Sequence, residues 1–364
     1  MKISKIISAL EQKAPPSLQE AYDNAGLIVG NPNTEIKKAL ITVDATEEVV
    51  DEAITIGAGL IIAHHPIVFT GLKKLNGNNY VERTVIKAIK HDIAIYAIHT
   101  NLDNIIAGTN SYLANLLGLK NLKVLHPMGE QLLKLVVFCP ITHSDKVRDA
   151  LFSTGAGVIG KYDLCSFNTQ GKGSFRAGDE AKPFVGKKGE IHLEEEVRIE
   201  TILPRHQKGQ VLSAMLEAHP YEEVAYDLYG LENKTTLYGA GIIGELDKEL
   251  EAKEFLYKLK QITAAQGIRY TNIIKPKVKK IAICGGSGAF LIRKAIQQKA
   301  DVYITGDVKY HEFFDADKKI IIADIGHYES EQFTKEILYE FVKEKFPTFA
   351  VQKSDSVTNP INYL

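Results

Sequence analysis

The sequence predicts a duplicated α/β domain with a mainly parallel sheet, interrupted by an inserted α+β unit of ferredoxin-like order. Three observations predict it. In the first and last thirds of the chain, short continuous apolar runs alternate with segments of helical spacing, the pattern of parallel strands covered on both faces. Those two thirds can be laid over each other: ALITVD matches IAICGG, LIIAHHP matches VYITGDV, and IYAIHTNLD matches IIADIGHYE. Between them the rhythm breaks. The boundaries read as 1–126 for the first half of the α/β domain, 127–234 for the insert and 235–364 for the second half. A chain of 364 residues is too long for one ordinary domain and fits two.

The elements follow in order. Residues 1–7 are basic and briefly apolar and continue at helical spacing into Leu10, which reads as a first helix and not as a signal peptide. Residues 37–42 read as a strand. Thr46 caps the helical segment after it, which ends at Gly57. A strand over 59–63 runs into His64-His65-Pro66. A helix covers about 80–90, and a strand over 93–98 runs into His99-Thr100-Asn101-Leu102-Asp103. In the middle, 132–138 is a strand, 143–153 a helix, and the glycine-containing polar stretch 170–189 a hairpin and loop. A strand over 195–203, a helix over 207–218 and a strand over 224–228 complete a strand–helix–strand–strand–helix–strand order. The α/β pattern resumes near Leu237. A strand over 280–284 turns through Gly285-Gly286-Ser287-Gly288 into a helix reaching Gln298. A strand over 301–304 ends at Thr305-Gly306-Asp307, and one over 319–323 ends at Asp324-Ile325-Gly326-His327. A long helix then runs to about Lys345.

Composition excludes several classes. With 44 basic against 45 acidic residues there is no global basic field, so neither nucleic acid nor an anionic membrane is an expected partner. No apolar run approaches the roughly 20 residues that span a bilayer. Cys139, Cys165 and Cys284 are isolated and form no C-x-x-C pair, which indicates neither a disulfide framework nor a zinc ribbon and fits a reducing cytoplasm.

The chemistry gathers at strand ends, where open parallel sheets bind ligands. His64-His65 sits where a buried strand stops before a proline. There the backbone can turn and the two imidazoles can diverge slightly, or one can enter the core while the other faces solvent. Asp103 follows the next strand by a short loop, as a ligand or as a turn cap; His99 in that loop is a rival ligand or a strand-end residue. His327 and Glu331 stand four apart at a helix start, on one face and a turn apart, as a ligand pair or an exposed pair. Together these five residues suit two metals better than one closed site, and the mixture of imidazole and carboxylate suits zinc, iron, manganese or nickel over calcium. Gly285-Gly286-Ser287-Gly288 is a tight turn or a phosphate cradle; it lacks the following Lys-Ser/Thr of a P-loop. Asp23, in Tyr22-Asp23-Asn24-Ala25-Gly26, either supports the site or shapes a turn.

AYDNAGLIVG, LIIAHHP, IHTNLDN, GAGIIGEL, CGGSG, YITGD and GHYESE, taken in order, resemble the GTP cyclohydrolase 1 type 2 homologue family, also called the Nif3-like dinuclear-metal proteins. The resemblance covers both α/β thirds. It implies that His64, His65, Asp103, His327 and Glu331 are metal ligands, with Glu331 bridging two divalent ions. It implies toroidal homohexamers whose sites face an inner cavity. The insert, with HPYEEVAYDLY, resembles the PII/CutA-like domain of longer bacterial members. The expected function is metal-dependent hydrolysis of a nucleotide-like or other phosphorylated small molecule, ring opening of GTP at C8 being one version. The alternative is a non-enzymatic metal-handling or regulatory scaffold whose insert senses a ligand; DNA binding through the ring is a third reading, against which the neutral composition argues.

Overall fold

In the computed structural model, which describes residues 1–364, the chain opens on α1 (Ile3–Lys13), whose Ile3, Ile6, Ile7 and Leu10 form one buried face at helical spacing. Strands β1 (Gly26–Val29) and β2 (Lys38–Thr42) follow. Helix α2 (Glu47–Ile56) begins where the Thr46 hydroxyl accepts from the Val49 amide at 3.4 Å, and it ends at Gly57, whose left-handed φ of 69° favours glycine. Next come β3 (Leu60–Ala63), α3 (Tyr80–Lys90) with Asn79 as its cap, β4 (Ala94–Ala97), the single turn α4 (Thr100–Asp103), α5 (Thr109–Leu116) and β5 (Lys120–Pro127).

The middle of the chain forms β6 (Leu132–Pro140), α6 (Ser144–Ser153), β7 (Ser166–Arg176), β8 (Ile191–Pro204), α7 (Lys208–Ala218) and β9 (Tyr226–Leu231). The last part forms β10 (Gly239–Glu251), α8 (Ala252–Ile262), β11 (Arg269–Tyr270), β12 (Lys277–Ser287), α9 (Ile292–Gln297), β13 (Val302–Gly306), β14 (Ile321–Asp324), α10 (His327–Glu331), α11 (Thr334–Lys345) and β15 (Ala350–Lys353). Two units result: Met1–Pro127 with Thr236–Leu364, and Met128–Thr235.

The first unit holds two sheets, ordered β1-β4-β3-β2-β15 and β11-β14-β13-β12-β10-β5. Each has three parallel central strands and a short antiparallel strand on the same side, β1 against β4 and β11 against β14. The sequence duplication is therefore a duplication of strand order. Register fixes it to the residue: Ala39, Leu60 and Ala94 stand level in one sheet, as Ile281, Val302 and Ile321 do in the other. The first two sequence matches keep this register; the third is one residue out, since Ala94 and not Ile95 is level with Leu60.

Two expectations are corrected. There are two sheets in place of one, and the second is mixed, because β10 pairs antiparallel with both β12 and β5. The β5–β10 pairing joins segments more than a hundred residues apart, which periodicity cannot register. The long last helix is broken into α10 and α11. At the break Ser330 Oγ donates to the His327 carbonyl at 2.7 Å and Thr334 Oγ1 to the Glu331 carbonyl at 2.8 Å, local bonds that compete with the helical ladder. Both faces of the second sheet are buried: Ile281 and Ile283 of β12 enter one core with Phe255 and Leu259, while Ala282 and Cys284 enter the other with Tyr303 and Ile322.

The second unit is one antiparallel sheet in the order β7-β8-β6-β9, the ferredoxin-like arrangement, with Leu133, Leu135 and Val137 of β6 packed beside Val147 and Leu151 of α6 and Val211 and Met215 of α7. Gln170 to Arg176, expected within a hairpin and loop, continues β7 as regular strand.

Candidate metal centre

Within the first unit, the carboxyl ends of the parallel strands converge. β3 delivers His64 and His65, the turn after β4 delivers His99 and Asp103, and β14 delivers His327 and, through one turn of α10, Glu331. His65 Nε2 lies 2.9 Å and His327 Nε2 3.0 Å from Glu331 Oε2, with the two nitrogens 3.3 Å apart. His64 Nε2 lies 3.7 Å from both Glu331 Oε2 and Asp103 Oδ2. All five residues picked out by the sequence thus meet. They fall into two groups that could each hold a metal ion, His65–His327–Glu331 and His64–Asp103–Glu331, with Glu331 common to both. His99 also comes close, grouped with His64 and His65.

Each imidazole is held from behind through Nδ1. His64 Nδ1 donates to the Ile98 carbonyl at 2.9 Å, which leaves Nε2 as the nitrogen facing the carboxylates. His65 Nδ1 is 2.7 Å from Asp44, His327 Nδ1 2.6 Å from Asp307, and His99 Nδ1 2.7 Å from Asp23. Those carboxylates are themselves fixed: Thr358 donates to Asp44 at 2.6 Å, Ser287 to Asp307 at 2.7 Å, and the Thr100 amide to Asp23 at 3.1 Å. A carboxylate on the far nitrogen is the usual support of a histidine metal ligand, fixing its tautomer and raising its basicity.

Asp44, Asp307 and Thr358 were not found as site residues in the sequence. Asp307 had a signal: in the internal repeat VYITGDV sets it opposite His65 of LIIAHHP, at a strand end.

Charge accumulates here. Burial pushes Glu331 upward, but the three imidazoles around it, His327 foremost, hold its carboxyl well below the ordinary range. Burial raises Asp103, and His64 does not fully offset it. Burial also works against protonation of His65 and His327, yet Asp44 and Glu331 hold the first up at about 10, and Glu331 and Asp307 hold the second up at about 11. His64 Nε2 and Asp103 Oδ1 are buried without a hydrogen-bond partner. Buried polar atoms of this kind carry a desolvation cost that an ion between them removes, so the donor set fits a metal.

The glycine turn serves this carboxylate and not a phosphate. Gly286 has φ of 61°, and a Cβ there would overlap Glu331 Oε1. The amides of Gly285, Gly286 and Gly288 are already taken by Asn110 Oδ1, Ser330 Oγ and Thr305 Oγ1 at 2.7, 2.9 and 3.0 Å. Beside the centre lies a cavity of about 460 Å³, lined by His65, His99, Asp103, His327 and Glu331 together with Tyr22, Phe69 and Phe290.

The model of the Duf34/NIF3 (NGG1p interacting factor 3) family matches residues 1–360. The GTP cyclohydrolase 1 type 2 homolog of Halalkalibacterium halodurans is 41% identical over 372 residues, covering 100% of both chains, and that of Bacillus subtilis is 40% identical, covering 99% of this chain and 98% of its own. The crystal structure of a Bacillus cereus protein related to NIF3 superposes with a TM-score of 0.88 at 41% identity, over 100% of this chain and 99% of that one. The family model over nearly the whole chain and the full-length similarity to these relatives place the chain in the Duf34/NIF3 family.

Proposed function

We propose that the chain is a dinuclear metal-dependent hydrolase acting on a nucleotide-like small molecule. The observation that carries this is the Glu331 carboxylate, shared by the two ligand groups, with three imidazole Nε2 atoms turned towards it and every Nδ1 already committed. His65 and His327 would hold one ion, His64 and Asp103 the other, and Glu331 both. Two divalent ions there would supply Lewis acidity that lowers the pKa of water from 15.7 towards about 7. Asp44 and Asp307 would keep the imidazoles oriented, and the cavity beside them would receive the substrate. That adjoining cavity is what favours an enzyme over a metal-handling scaffold. Hydrolytic opening of GTP at C8 is one concrete version, suggested by the relatives' name. The homohexamer and the PII/CutA-like character of the insert belong to the same reading.

The test is a hydrolysis screen of metal-loaded protein across nucleotides and phosphoesters, with Glu331→Gln as control. Activity that follows metal content and vanishes in the variant supports the reading. Full metal content with no turnover of any compound would favour the scaffold.

A further inference from the structure

The cavity beside the metal centre has an uneven chemistry. Not one of its lining residues is lysine or arginine. Its wall carries the carboxylates of Glu20, Asp44, Asp103 and Glu331, and Asp23 and Asp307 stand directly behind His99 and His327. The four carboxylates of the wall already balance the four positive charges of two divalent ions, and the two behind the imidazoles add to the negative side. Phosphate recognition ordinarily uses arginine, lysine or free backbone amides, and the amides of the one glycine turn here are spent on side chains. A di- or triphosphate brought into this cavity meets net negative charge.

The rest of the wall is aromatic and apolar. Tyr22, Phe69 and Phe290 are 64%, 48% and 63% exposed, and all three line the cavity, with Pro360 and Ile361 from the C-terminal segment. Tyr22 and Phe69 lie with ring centroids 6.2 Å apart, and Phe69 meets the edge of His99 at 6.3 Å. Solvated ring faces beside a polar centre suit the π-face of a flat heterocycle. Glu20 adds a directional preference. Its carboxylate pairs with no lysine or arginine and accepts one hydrogen bond, from Asn104 Nδ2 at 3.0 Å, so it keeps lone pairs for ring N–H or amino donors.

Resting on the hydrolase reading above, but replacing its GTP version, we infer that the ligand of this cavity is a flat, uncharged nitrogen heterocycle, a nucleobase or nucleoside, and that phosphate groups take no part in its recognition. Tyr22, Phe69 and Phe290 stack on the ring, Glu20 accepts from its N–H edge, and the heterocycle itself is presented to the metal centre.

The experiment compares binding of guanosine and adenosine with binding of their 5′-triphosphates and of pyrophosphate by calorimetry. It uses the full chain loaded with manganese, with metal content measured on the same samples. At least one nucleoside should bind at least tenfold tighter than its triphosphate, and pyrophosphate should not compete. Phe69→Ala and Phe290→Ala should each weaken the nucleoside about tenfold, the usual effect of losing a base–aromatic stack, with metal content unchanged. Phe290→Lys, at an exposed position, adds the missing cation and should shift the preference towards the triphosphate. A wild-type protein that prefers the triphosphate or pyrophosphate, binds neither nucleoside up to its solubility, or binds equally well after both alanine substitutions overturns the inference. A protein that binds nucleosides selectively yet takes up no metal overturns the hydrolase reading and leaves this one standing.

Discussion

Glu331 carries an unusual load for one side chain. It is 3% exposed, accepts from two imidazoles and lies 3.7 Å from a third. On the proposed reading its charge would offset two neighbouring divalent ions, which otherwise repel. Glu331→Gln keeps the shape and removes the charge, so both metals should be lost, whereas His64→Ala or His65→Ala should empty mainly one position. Elemental analysis beside circular dichroism checks this; two metals retained in Glu331→Gln and none in a histidine variant would reassign the shared ligand. Asp307→Asn should weaken metal affinity by roughly 10- to 100-fold with the fold intact, as loss of a carboxylate behind a ligating histidine usually does.

Metal loading should also release protons. The His65 and His327 pKa values of about 10 and 11 mean that both rings are charged at neutral pH without metal, while a ligating imidazole must be neutral. At least two protons should therefore leave per chain, and apparent affinity should rise on the order of 100-fold per pH unit between pH 7 and 9. The sign for stability is the reverse: in metal-free protein, these raised pKa values stabilise the fold fully below about 6.5, and the contribution fades as pH climbs through 10 to 11. Calorimetry in buffers of different ionisation enthalpy counts the protons. At this scale the sequence showed the residues that end strands, because strand ends are where a parallel sheet exposes side chains to a ligand. It hid Asp44 and Thr358, whose partnership spans over three hundred residues and leaves no local pattern.

Among the elements, those fixed by local chemistry were legible and those fixed by pairing were not. Thr46 and Gly57 bracket α2 because a hydroxyl cap and a left-handed glycine act within one turn. The β5–β10 pairing depends on distant segments, and the break after α10 depends on whether two hydroxyls turn inwards. Two substitutions test what holds the elements in place. Gly286→Ala forces a Cβ at φ 61° against Glu331 and should cost on the order of 1–3 kcal/mol while displacing the carboxylate, read as a lower Tm and reduced metal content. Asp301 accepts from the Lys279 and Lys280 amides at 2.8 and 2.9 Å and pairs with Lys275, tying the start of β13 to β12. Burial pushes its pKa up, but these partners outweigh burial and lower it from 3.8. A depressed carboxylate pKa contributes stability above its unfolded value and loses it as pH falls through the folded one. Asp301→Asn should thus be destabilised by roughly 1–3 kcal/mol at pH 7, and the gap to wild type should narrow below about pH 3.8. A gap that does not change with pH would assign the effect to packing.

At the scale of the whole molecule, the two strands that flank the insert are paired with each other. Strand β5 ends at Pro127 and β10 begins at Gly239, and those two residues face each other across an antiparallel pair that continues through Ala240–His126 and Ile242–Val124. The insert thus replaces the turn of a hairpin. Its core is its own, drawn from β6, β8, α6 and α7, and the ends that a deletion must join are already neighbours. Thr236 to Tyr238 should be kept, because Leu237 accepts from the Ile106 amide at 2.9 Å and Tyr238 bridges to Ile105. Removing 128–235 and closing the gap with a two- or three-residue glycine-containing linker should give a folded protein, since loop-tip insertions with separate cores are tolerated in both directions. No proposed metal ligand lies in the removed segment, so the shortened chain should bind as much metal per chain as the full one and unfold in a single cooperative step. Elemental analysis and thermal unfolding of the two proteins side by side decide it. An insoluble product, or a soluble one without metal, would mean that the insert organises the centre from outside its own unit.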